Sequence, residues 1–118
     1  VVSFGADFLE TFGNPVANAR GFAEMRSRPG DGWFAAVEPR LSLTGANADE
    51  WIAVRPGGEM AVALGLAHVM LAEGLATNGG AALVDAVAAY TPEAVERQTD
   101  VPADTLTGSP VATENLLL

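Results

Sequence analysis

Short continuous apolar runs alternate along the chain with segments whose apolar residues recur every three or four positions, the pattern of strands alternating with helices. Val1–Phe4 is a short apolar run stopped by Gly5, and Trp33–Val37 is continuous enough to predict a strand covered on both faces. Between them, Asn14 and Pro15 read as an N-cap followed by proline at the first helical position. They predict a helix from Pro15 to Arg26 with Val16, Ala19, Phe22 or Ala23, and Met25 on one face. Pro29-Gly30-Asp31-Gly32 ends that segment with turn chemistry. The result is a β-α-β unit, and a right-handed crossover makes its strands parallel, with Gly5 and Glu38 leaving the same edge. A third strand, Trp51–Val54, leads through Arg55-Pro56-Gly57-Gly58 into a helix from Glu59 to about Leu75. Apolar residues all round that helix from Met60 to Leu71 predict burial on several sides. A helix over Ala81–Tyr90 comes next, then Thr91-Pro92 and Asp100-Val101-Pro102, each resembling a cap and a helix-starting proline. Residues 108–118 read as an irregular tail.

Composition narrows what this α/β pattern can do. The chain has 118 residues, enough for one domain at most. It has no cysteine, which excludes disulfides, cysteine-ligated zinc and iron–sulfur clusters built from its own residues. Fifteen carboxylates outnumber six cationic side chains, so a nucleic-acid backbone would be repelled. The longest apolar run, Met60–Ala72, is shorter than the roughly 18–20 residues of a membrane span, so no direct span is expected. The apolar ends, Val1-Val2-Ser3-Phe4 and Leu116-Leu117-Leu118, suggest part of a larger, multidomain subunit.

Open parallel sheets bind ligands beyond the carboxyl ends of their strands, which directs attention to the loops after each strand. Gly5 could let a backbone approach a phosphate or simply turn the chain; no GxGxxG or P-loop spacing accompanies it. Glu38 could accept from ribose hydroxyls or be an ordinary solvated acid. Arg55 with Gly57 and Gly58, at the start of a helix, could hold an anion, though Glu59 opposes that charge. His68, the only histidine, stands among apolar helical residues without metal-ligand spacing and reads as a buried structural residue. Trp33 and Trp51, at strand starts, read as packing residues. Asp49 and Glu50 point to different sides and form no acid/base pair. No catalytic residue or metal ligand set is found.

The order "VVSFGADFLE", a helix, "WFAAVEPRLSLTGANADEWIAVRPGGEMAVALGLAHVML" and "AYTPEAVERQTDVPADTL" resembles the molybdopterin-dependent oxidoreductases of the dimethyl sulfoxide reductase type over residues 1–107. The resemblance implies a Rossmann-like three-layer segment, with a short parallel sheet, of a nucleotide-binding region. It places Gly5, Pro39 and Arg40, Ala48 and Asp49, and Arg55, Pro56 and Gly57 near a molybdopterin guanine dinucleotide. Three departures stand out: Asp7 where the family has asparagine, Glu38 where it has aspartate, and Gly58-Glu59 where it has Thr-Asp. An acceptor-only carboxylate at Asp7 would repel a pyrophosphate. With "FGADFLETFGNPV" and "PRLSLTGANADEW", these departures resemble the branch of the alternative complex III large subunit and molybdopterin-binding-like quinone reductase subunits. That branch implies a scaffold in a respiratory, quinone-linked complex on the periplasmic face of a membrane, with no cofactor bound by this chain alone. Its partners would be the rest of a large oxidoreductase subunit, iron–sulfur subunits, and membrane subunits binding heme or quinone. A true molybdenum enzyme's dinucleotide-binding segment and an independent small nucleotide-binding module are the alternatives.

Overall fold

A computed structural model of the protein describes residues 1–30, 32–75 and 81–108. The irregular tail expected over 108–118 lies outside them except for Gly108, which closes a helix. The chain divides into two compact units, Val1–Ala53 and Val54–Leu118.

The first unit is an α/β unit built on a parallel sheet of order β1-β2-β3, with β1 at Val2–Phe4, β2 at Ala35–Glu38 and β3 at Glu50–Ala53. Every residue of β2 is buried, as expected of a central strand. Pairing of Phe4 with Val37, and donation from Gly5 N–H to the Val37 carbonyl, set Gly5 beside Glu38 at the carboxyl edge. Helix α1, Pro15–Arg26, begins where sequence capping places it, with the Asn14 side chain accepting from Ala17 N–H. Its expected apolar face is only half realised. Phe22 and Met25 are partly buried, while Val16 is 72% exposed and Ala19 is exposed. The helix is held by Phe22, which meets Phe8 and Phe34 in a cluster of rings 5.5–6.0 Å apart. Residues Leu43–Ala46 form a further short helix, α2, packed on β2 and β3 and not foreseen from the apolar pattern.

The second unit is helical: α3 (Glu59–Ala72), α4 (Ala81–Val87), α5 (Pro92–Thr99) and α6 (Ala103–Gly108). α3 and α4 both stop short of the ends expected for them. Within this unit α3 packs against α4, α5 and α6, and apart from Met60 and Ala72 its residues are buried or partly buried. Ala61, Val62, Gly65, Leu66 and Val69 are buried along one stripe, whereas Met60 is 68% exposed. Gly65 lets α5 come close: a Cβ there would lie 2.8 Å from Val95 Cγ2. Thr91 caps α5 as its sequence implies. Asp100 does not cap α6. It ends α5 in the left-handed region, φ 63°, with its N–H donating to the Glu96 carbonyl.

Candidate functional site

At the carboxyl edge of the sheet, Gly5 adopts φ 66°, a turn that favours glycine. The loop after it is pinned through Asp7. The Thr44 hydroxyl donates to Asp7 Oδ1 at 2.7 Å and itself accepts from Leu9 N–H, while Thr11 and Phe12 N–H donate to the Asp7 carbonyl. Asp7 thereby ties the β1 loop to α2.

Glu38 is neither a solvated acid nor open to a ribose. It is 6% exposed, and its two oxygens accept from Ser42 N–H at 2.7 Å and Ser42 Oγ–H at 2.9 Å. Ser42 Oγ in turn accepts from Gly45 N–H, making Ser42 the N-cap of α2. A Cβ on Gly45 would fall 2.1 Å from Glu38 Oε1, so the carboxylate occupies the space of the missing side chain. Pro39 and Arg40, just beyond, are exposed, and Arg40 makes no hydrogen bond or ion pair among the described residues.

Asp49 stands at the other end of the sheet. It precedes β3, and its Oδ2 accepts from Phe34 N–H, beside the start of β2. A strand of four residues spans about 13 Å, so Asp49 and Glu38 do not share a crevice. Arg26 closes that lower edge, donating to Asp49 Oδ2 and to the Gly32 and Asn47 carbonyls. Desolvation pushes the Asp49 carboxyl up, but hydrogen bonds from Arg26 and Phe34 N–H, with the Arg26 charge, hold it below the ordinary value of 3.8. A carboxyl depressed on folding stabilises the protein above its unfolded pKa and loses that contribution as pH falls through the folded one. The denaturation midpoint should therefore drop more steeply below pH 3.8 in the wild type than in Asp49→Asn. The difference should be small, because the Asp49 side chain is 38% exposed and water screens the pair. Equal slopes would remove Asp49 from this role.

The remaining candidates belong to the second unit. Gly57 has φ 85°, and Gly58 is the N-cap of α3 without a side-chain hydrogen bond. Arg55 is clamped in bidentate fashion by Asp100, with Nη2 2.8 Å from Oδ1 and Nε on Oδ2, and its N–H donates to the Thr99 carbonyl. His68 is partly buried, with Nδ1 3.0 Å from the Val87 carbonyl, in keeping with a structural place. Trp33 is partly buried and Trp51 is exposed. The structure thus brings Gly5, Asp7, Glu38, Pro39 and Arg40 to one strand edge and separates Asp49 from them. Ser42, Thr44 and Gly45, which engage the two edge acids, carried no expectation. Their one sequence signal is a serine three residues before a glycine, a short helix cap.

No protein-family model matches the chain. It is 39% identical over 114 residues to the thiosulfate reductase molybdopterin-containing subunit of Salmonella typhimurium, covering 90% of this chain and 14% of that one. It is 34% identical over 111 residues to the molybdopterin-binding-like subunit of menaquinone reductase from Nitratidesulfovibrio vulgaris, covering 91% and 16%. The chain therefore spans about one-seventh of the length of these relatives. Among solved structures, acetylene hydratase from Pelobacter acetylenicus superposes with a TM-score of 0.71 at 20% identity, over 94% of this chain and 16% of that one, a likeness of fold.

Proposed function

The chain belongs to the molybdopterin-dependent oxidoreductase family, and from that premise we propose that it is a framework segment, residues 1–107, of a molybdopterin oxidoreductase-like subunit in a quinone-linked electron-transfer complex. In this reading it keeps the family's α/β unit and holds no guanine dinucleotide of its own. The observation that carries it is the commitment of Glu38 to Ser42 and α2. A dinucleotide's pyrophosphate needs donors and cations, and its ribose needs accessible acceptors. At the strand edge, Glu38 is buried, Asp7 is an acid held by Thr44, and Arg40 is the one exposed cation beside them. Asp49 is spent on Arg26 at the opposite edge, and Arg55 on Asp100. These side chains do not fit the dinucleotide as they stand. The likeness to a subunit named molybdopterin-binding-like supports the same reading.

Electron carriers would then reside in iron–sulfur centres elsewhere in the subunit or its partners, and in membrane subunits binding heme or quinone. Among the described residues no helix is long and apolar enough to cross a membrane; in this reading the assembly sits on the periplasmic face, as the family resemblance implies. The intact assembly, purified and assayed for molybdenum and for pterin fluorescence, should carry neither in stoichiometric amount. Stoichiometric molybdenum together with guanine dinucleotide would overturn the framework reading.

Arg40 favours a second reading, the dinucleotide-binding segment of a true molybdenum oxidoreductase, because it stands exposed and unpaired among the described residues directly after Glu38-Pro39. The likeness to a molybdopterin-containing thiosulfate reductase subunit points the same way. Under that reading Arg40→Glu lowers cofactor occupancy of the assembly; under the first it changes nothing that elemental analysis detects.

A further inference from the structure

We draw no further inference here: the strongest candidate, the apolar cavity of about 360 Å³ beside α1 in the first unit, lined by Val1, Phe8, Phe22 and Met25, carries nothing because nothing in the structure shows what covers it.

Discussion

Replacing Gly45 by alanine is expected to destabilise the protein by about 2–4 kcal/mol. A new methyl at Gly45 would lie 2.1 Å from Glu38 Oε1, 3.1 Å from its Cδ and 3.3 Å from Leu41 Cδ1. A carboxylate at the end of a flexible side chain would ordinarily swing aside at little cost. Glu38 cannot, because it is buried and both of its oxygens are held by Ser42, so displacing it leaves a charge without partners in a dry place. The cost should vanish with the obstacle: once Glu38→Ala is made, adding Gly45→Ala should cost almost nothing, and helix propensity could even recover a few tenths of a kcal/mol. Urea denaturation of the two single variants and the double variant measures this coupling. Strict additivity would show that Glu38 and Gly45 do not compete for the same space.

The second large effect is expected at Phe34, where truncation to alanine should remove about 3–5 kcal/mol. Its side chain is fully buried, and its ring meets Phe8 from the β1 loop at 5.5 Å and Phe22 from α1 at 5.7 Å. Those contacts join three segments distant in sequence. The Phe34 backbone donates to Asp49 Oδ2 and accepts from Asp49 N–H, so the residue also fixes the entry to β3. Phe34→Leu keeps most of the volume and should cost well under half as much. A loss below about 1 kcal/mol on truncation to alanine would mean that the ring cluster does not hold the helix to the sheet.

How far the sequence could be read depended on whether each feature was local. The start of α1 was legible because Asn14-Pro15 is a self-contained cap, and β2 was legible because a central parallel strand must be apolar throughout. The parallel order came from connection length and handedness. Features set by a partner far along the chain were not legible. Periodicity alone puts Val16 on the packed face of α1, whereas the structure anchors that helix through a ring contributed by Phe34. Asp100 resembles a cap for α6, but its left-handed φ and its ion pair to Arg55, 45 positions earlier, make it the end of α5. Glu38 was visible as a carboxylate at a strand end. Its burial depended on a four-residue helix whose only advertisement is Ser42. The family was readable because ordered motifs survive across the chain, while the use made of Glu38, Asp49 and Arg55 depends on Ser42, Arg26 and Asp100, which no motif pairs with them.

Strand length carries one more consequence. Among the described residues β1 and β3 are the sheet's outer strands, three and four residues long. An unpaired strand edge is a template on which another chain can dock and propagate fibrils, and the hazard grows with the length of straight backbone on offer. These edges present too few consecutive amides for a register to be held. A chain that is 49% hydrophobic thus carries little of the cross-β liability that its composition alone would suggest for this sheet.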